Sequence, residues 1–319
     1  MMTINDVVRL LKENDDILIL SHHFPDGDTL GSAYALCGAL QIMGKRARVE
    51  CSDEIPNKFL FIKNCVEIQK FEPKYIVSAD VADSKLLGSL CEVYGNKVDL
   101  CIDHHSRNTS FAKRSYVEGD SAACAEIMYL IVRELINEIP KSIANCLYTG
   151  VCTDTGCFKF SNVTARTHKI AAELIALGCD HALINKVMFD TKTRSRIALE
   201  KAVLDNLRFE YNGLCASVVL TRDMIASSGA VEDDIDGISS LPRQIEGVAA
   251  AVTLRELESG VYKVSLRTDN ALNAAKIAVG FGGGGHAAAA GCTIKGLPEN
   301  AEKALLVAIG DALKEQNMI

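Results

Sequence analysis

The sequence predicts an α/β chain in two parts. A mostly parallel sheet forms an N-terminal domain over residues 1–187, and a helical linker over 188–207 joins it to a smaller α+β domain over 208–319. Three observations carry this reading. Up to about Lys186, short apolar runs alternate with longer helical stretches, which is the rhythm of βαβ units. The stretch "MFDTKTRSRIALEKAVLDNL" is polar and helix-forming, with no Gly or Pro. Beyond it, "CASVVLT", "VAAAVTLRE" and "YKVSLRT" read as strands joined by polar or Gly-containing turns.

Taken in order, the opening "MMTINDVVRLLKENDD" is an amphipathic helix carrying acids, without the basic and apolar halves of a signal peptide. Strands are predicted at 17–21, 47–51, 75–79 and 98–102, each an apolar run that stops at a polar cluster. Continuous runs of this kind suit a parallel sheet covered on both faces. Helices are predicted at 31–43 and 121–137, the second with Asp120 or Ser121 as its N-cap. The segment 301–317 is an amphipathic helix.

Composition bounds the function. With 319 residues and 48% of them hydrophobic, the chain can bury a sizeable core. A net charge of −7 argues against a protein that coats long nucleic acid, because such binders neutralise many phosphates with a broad basic surface. A short anionic substrate stays compatible with it. No segment is long and apolar enough for a membrane span, so no membrane partner is expected. The 12 cysteines show no C-x-x-C spacing and lie mostly in apolar segments, as in a reducing cytoplasm.

The chemistry gathers where apolar runs end. "DILILSHHFPDGDTLGSA" places His22, His23, Asp26 and Asp28 just past the first strand, with Pro25 and Gly27 shaping the turn. "YIVSADVADS" ends a strand at Asp80, "VDLCIDHHSRN" ends another at Asp103, His104 and His105, and "TGVCTDTGCFKF" sets Asp154 in a turn flanked by Thr and Gly. Taken singly, each Asp could be an N-cap and His104 a satisfied core residue. Taken together, they sit at the carboxyl edge where open parallel sheets place their ligands. If these strand ends meet, Asp26, Asp28, Asp80 and Asp154 cannot all stay ionised without cations. Oxygen and imidazole donors favour Mn²⁺ or Mg²⁺ over Zn²⁺, and a pair of such ions suits hydrolysis of a phosphoester.

"HHFPDGDTLGS", "SADVADS", "DHH" and "TDTGCF", in this order and spacing, resemble the four motifs of the DHH phosphoesterase superfamily. "GFGGGGHAAAAG" resembles the glycine and histidine signature of its associated C-terminal domain. The resemblance spans nearly the whole chain and is closest to bacterial oligoribonuclease/pAp phosphatases. It implies two divalent ions, most often manganese, with His22, Asp26 and Asp80 on one and Asp28, Asp80, His104 and Asp154 on the other. It further implies that His105 faces the scissile phosphate and that Asp103 orients a histidine; His23 receives no role. Short RNA or nucleotides such as pAp are the implied partners, and homodimers are common in the family. Phe24 stands where the first motif often carries Asn.

The glycine tract needs separate treatment. Gly280, Gly282 and Gly285 satisfy G-x-G-x-x-G, but "LNAAKIAVGF" before them reads as helix where a dinucleotide fingerprint requires a strand. Gly282, Gly283, Gly284 and Gly285 instead offer backbone N–H groups to a ligand, and Arg267 and His286 add partners for a phosphate or base. The implied activity is hydrolysis of short 5′-phosphorylated oligoribonucleotides to mononucleotides, with pAp to AMP beside it. A linear- or cyclic-dinucleotide phosphodiesterase is the open enzymatic alternative. A non-catalytic nucleotide sensor is the open alternative of another class.

Overall fold

A computed structural model describes residues 2–235, 237–269 and 271–319, and the chain divides into two compact units, Met1–Thr191 and Lys192–Ile319. In chain order the first unit contains α1 (Ile4–Glu13), β1 (Ile17–Leu20), α2 (Gly27–Ile42), β2 (Ala47–Glu50), β3 (Tyr75–Ala79), α3 (Leu90–Tyr94), β4 (Leu100–Asp103), β5 (Arg114–Val117), α4 (Cys124–Leu135), α5 (Lys141–Asp154), α6 (Ala165–Ala176) and α7 (His181–Asn185). Its sheet has the order β2-β1-β3-β4-β5 and is parallel throughout. From β1 the chain winds first to one side and then to the other, so the order reverses beside β1. The crevice at such a reversal, outside the carboxyl ends of the strands, is where open α/β sheets hold ligands.

Alternate residues of β1 serve the two faces. Ile17 and Ile19 join the large core with Val77, Leu100, α2, α4 and α5, whereas Leu18 and Leu20 pack with Ile76, Leu87 and Val98 on the other side. Helix α2 is apolar and buried along nearly its whole length, as a helix wedged between a sheet and further helices must be. It starts at Gly27, ahead of the expected 31, because the Asp26 carboxylate caps it by accepting from the backbone N–H groups of Asp28 and Thr29. Helix α4 is shorter than the expected 121–137, and neither Asp120 nor Ser121 caps it. Its N-cap is Ala123, which has no side-chain acceptor, so its first N–H groups find their partner elsewhere.

The second unit contains α8 (Arg194–Asp205), β6 (Arg208–Glu210), β7 (Cys215–Leu220), α9 (Arg222–Ser228), α10 (Glu232–Ile235), β8 (Ala250–Glu258), β9 (Val261–Thr268), α11 (Ala274–Val279), β10 (Gly284–Gly285), β11 (Ala289–Lys295) and α12 (Pro298–Glu315). Its sheet runs β10-β11-β9-β8-β7-β6, antiparallel except for the β7–β8 pair. Leu305, Ile309 and Leu313 of α12 pack with Val252, Leu254, Val264 and Leu266. Within the segment read from sequence as a linker, Met188 and Phe189 lie against the core of the first unit, while Leu199 and Val203 of α8 are buried against Val218 and Leu220 in the second.

Candidate metal centre

Of the six predicted metal-binding side chains, His22, Asp80 and His104 follow strands β1, β3 and β4, Asp26 and Asp28 stand at the N-terminus of α2, and Asp154 ends α5. His22 follows β1, and its ring Nδ1 lies 2.7 Å from the carbonyl of His23. His104 follows β4, and its Nδ1 lies 3.1 Å from the carbonyl of Ser121. A carbonyl can only accept, so both Nδ1 atoms carry a proton, and in the neutral rings each Nε2 presents a lone pair inward. Asp80, directly after β3, is buried and adopts a left-handed backbone (φ 60°), held by its N–H donating to the Ile102 carbonyl at 2.9 Å. Aspartate tolerates this region better than a bulky residue would.

Asp28 supplies the missing cap of α4. Its two carboxylate oxygens accept the backbone N–H groups of Cys124 at 2.6 Å and Ala125 at 2.8 Å, so an acid on one helix satisfies the N-terminus of another. Space for that carboxylate comes from Gly150 on α5, where an added Cβ would lie 2.8 Å from Asp28 Oδ1 and 2.6 Å from the Ala125 Cβ. Asp154 differs from its sequence reading: it closes helix α5 and does not stand in a turn. The turn follows it, with Gly156, Cys157 and Phe158 all left-handed at φ 55°, 58° and 62°. Thr155, fully buried, pins this reversal by donating to the Val151 carbonyl and accepting the Phe158 N–H.

The inward-facing atoms form two groups that share Asp80. His22 Nε2 lies 3.7 Å from Asp26 Oδ1 and 3.8 Å from Asp80 Oδ2. His104 Nε2 lies 3.7 Å from Asp28 Oδ2, 3.5 Å from Asp80 Oδ1 and 3.4 Å from Asp154 Oδ2. These spacings are too long for hydrogen bonds and suit neighbours around one small cation, whose oxygen ligands about 2.1 Å away stand about 3 Å or more apart. Among the described residues, His22–Asp26–Asp80 and Asp28–His104–Asp154 are each close enough to hold an ion. His105 also approaches Asp80 at 3.5 Å through Nδ1, but that atom is committed to Asp103 at 2.8 Å.

The electrostatics mark the charge that a cation would offset. Burial, then the neighbouring Asp154, pushes Asp28 up to about 7. Asp154 is pushed up to about 7 by burial and then by Asp26. Asp80 is raised well above the usual carboxylate range, first by burial and then by Asp28. Its Oδ1 is buried and, among the described residues, has no hydrogen-bond partner. An orphaned carboxylate oxygen facing an imidazole lone pair is an unfavourable arrangement for the protein alone and a natural one for a metal ligand set. Burial opposes ionisation of Asp26 too, but the nearby His22 imidazole and the backbone N–H groups of Thr29 and Asp28 more than offset that and lower its pKa.

Beside the carboxylates stands a separate relay. Asp103 is fully buried; Oδ1 accepts from His105 Nδ1 and Oδ2 accepts from the Asn108 amide at 2.6 Å. The bond to Asp103, outweighing burial, raises the His105 pKa. The other face of the His105 ring is open, since the side chain is 46% exposed. Sequence reasoning passed over Asn108, although it stands five residues after Asp103 in the quoted motif. It also passed over Ser121, whose contribution is a carbonyl and therefore carries no side-chain signal. His23 donates its N–H to the Leu86 carbonyl and rests its ring against Phe24.

The predicted substrate-contact residues lie in the second unit. Arg267 on β9 pairs with Ala289 on β11, and Gly284 and Gly285 form β10 against Gly291 and Ala290. Gly283 and Gly285 are required by packing: added Cβ atoms would lie 2.2 Å and 2.5 Å from the carbonyl oxygens of Gly291 and Ala289. His286 is exposed in a tight turn closed by backbone bonds with Ala289 in both directions. The tract and Arg267 thus share the end of one sheet.

Residues 16–151 match the DHH family, N-terminal domain, and residues 212–315 match the DHHA1 domain. The bifunctional oligoribonuclease and PAP phosphatase NrnA of Thermus thermophilus is 35% identical over 306 residues, 93% of this chain and 90% of that protein. The probable bifunctional oligoribonuclease and PAP phosphatase NrnA of Streptococcus mutans is 26% identical, across 94% of this chain and 96% of its own length. A crystal structure of an exopolyphosphatase-related protein from Bacteroides fragilis shares the fold, with a TM-score of 0.89 at 24% identity over 98% of this chain and 97% of that one. The two domain matches in tandem, the extent of these similarities and the order of the four motifs make the chain a member of the DHH family.

Proposed function

We propose that the chain is a cytoplasmic, manganese-dependent phosphoric ester hydrolase that cleaves short 5′-phosphorylated oligoribonucleotides to mononucleotides and converts pAp to AMP. The observation that carries this reading is the pair of donor groups joined through the buried Asp80, whose Oδ1 has no hydrogen-bond partner among the described residues. The activities for which the two NrnA relatives are named supply the substrate class. His22 and Asp26 would hold one ion, Asp28, His104 and Asp154 the other, and Asp80 both. When bound, two such ions supply Lewis-acid chemistry, lowering the pKa of an attacking water and offsetting the phosphate's charge.

The remaining work falls to the chain's own side chains. Asp103 holds the His105 ring through Nδ1 and raises its pKa, which favours the form whose Nε2 carries a proton. As the P–O bond to the leaving ribose oxygen breaks, that proton passes to the departing oxygen. Asn108 fixes the other Asp103 oxygen, leaving the carboxylate one orientation. The DHH domain would perform the chemistry, and the DHHA1 domain would grip the substrate through Arg267, His286 and the backbone of Gly282, Gly283, Gly284 and Gly285. Only a few phosphates then need neutralising, which reconciles an acidic protein with an RNA substrate.

The test is a substrate panel with the full chain and Mn²⁺: labelled di- to pentaribonucleotides, pAp, cyclic dinucleotides and pyrophosphate. Mononucleotides from short RNA and AMP from pAp are expected, with both reactions stopped by chelation. No turnover of either with Mn²⁺, Mg²⁺ or Co²⁺ would overturn the assignment. Turnover confined to cyclic dinucleotides would replace it with the alternative phosphodiesterase.

A further inference from the structure

The segment between β5 and α4 performs two tasks for one half of the metal centre. The Ser121 carbonyl fixes the His104 tautomer, and three residues later the N–H groups of Cys124 and Ala125 grip both oxygens of Asp28. A loop with this duty needs a fixed shape, yet Ser121 and Asp120 provide no cap that would hold it from within. The holding comes from Arg166, on the first turn of α6. Its Nη2 donates to Ser121 Oγ at 2.6 Å, its Nη1 pairs with Glu118 at the start of the loop, and its Nε donates to Glu126 Oε2 at 3.0 Å just inside α4. Glu126 is buried and Glu118 is braced further by the Tyr116 hydroxyl at 2.9 Å. A planar guanidinium spreads its donors over three nitrogens in a fixed fork and so reaches three separate acceptors at once, whereas the three donors of an ammonium share one nitrogen.

From this geometry we infer that Arg166 is a positioning residue for the Asp28–His104 half of the metal centre, acting through the 118–126 segment. Nearby, Asn162 ties the same loop to the third member of that half by donating to the carbonyls of Ala122 and Asp154 at 3.0 and 3.1 Å. The other half owes nothing to this bracket. His22 is oriented by the His23 carbonyl, and Asp26 by the N-terminus of α2. Loosening the bracket therefore weakens one ion site and spares the other, a split that a general loss of stability would not produce. The inference rests on the metal-centre reading.

The experiment titrates Mn²⁺ into the metal-free full chain and follows free Mn²⁺ by electron paramagnetic resonance, for wild type, Arg166→Lys and Ser121→Ala. Partners that orient metal ligands are typically worth about 10- to 100-fold in affinity. Arg166→Lys is expected to lose that much at one of two sites and to keep the other. Ser121→Ala, which removes one prong without uncovering a buried charge, is expected to lose about 3- to 10-fold at the same site. It keeps the test available if the lysine variant does not fold. Two ions bound with wild-type affinity in both variants, or equal weakening at both sites, would overturn the inference. A wild-type chain that binds no divalent ion would instead overturn the metal-centre reading beneath it.

Discussion

The two units treat their polar groups in opposite ways. In the first, Asp28, Asp80 and Asp103 are buried: backbone N–H groups grip the Asp28 carboxylate, an imidazole and an amide hold that of Asp103, and Asp80 is fixed through its backbone N–H, so the protein itself sets the three carboxylates in place. In the second, most of the glycine tract and His286 lie exposed, tied by bonds between backbone atoms. Under the proposed function this contrast is a division of labour, with rigid preorganisation where charge would develop and open main chain where a ligand would only be gripped.

Four outcomes would break or sharpen that comparison. The largest belongs to Asp80→Asn, which removes the carboxylate shared by both donor groups. A loss of about 4 kcal/mol or more of transition-state stabilisation lowers kcat by about 1000-fold. The same change relieves charge crowding, so the metal-free variant should melt above the metal-free wild type, as differential scanning calorimetry would register. Next comes His105→Gln, expected to lower kcat about 100- to 1000-fold while Mn²⁺ titration still counts two ions. Loss of an ion instead would make His105 a ligand.

Arg267→Ala probes the open half. If the second unit only grips, KM should rise about 10- to 100-fold with kcat changed far less. An equal fall in kcat and kcat/KM would place Arg267 in the chemistry. The smallest effect falls on Glu200, buried on α8 between Lys192 and Arg196. Burial alone would raise its pKa, but the bonds to Lys192 and Arg196 more than offset this and lower it below the usual 4.5. A depressed acid stabilises the fold fully above its unfolded value and loses that contribution as pH falls through its folded one. Glu200→Gln should therefore cost about 2 kcal/mol at pH 7 in urea unfolding, with the gap to wild type closing below about pH 4.5.

Much of this architecture was legible in the residues. Continuous apolar runs such as Ile17–Leu20 suit burial on both faces, and each ends abruptly at the polar group it delivers, so strands and site emerged together. Strand β5 escaped notice because its four residues, Arg114–Val117, are half-exposed at a sheet edge and carry no apolar run. Asp154 was misplaced for a related reason: "TDTG" has the composition of a turn, but the turn begins one residue after the helix has ended. The Asp28 cap on α4 was invisible, because no local pattern announces a partner 96 residues away. Carbonyl ligands of histidines leave no trace in a one-letter code.

The span of that cap has a temporal meaning. A ribosome must deliver Cys124 before Asp28 gains its anchor, and Asp154 before the His104 group is complete. Ions added to a refolding chain would therefore bind late, and the rate at which manganese is taken up would clock the final docking of helices onto the sheet.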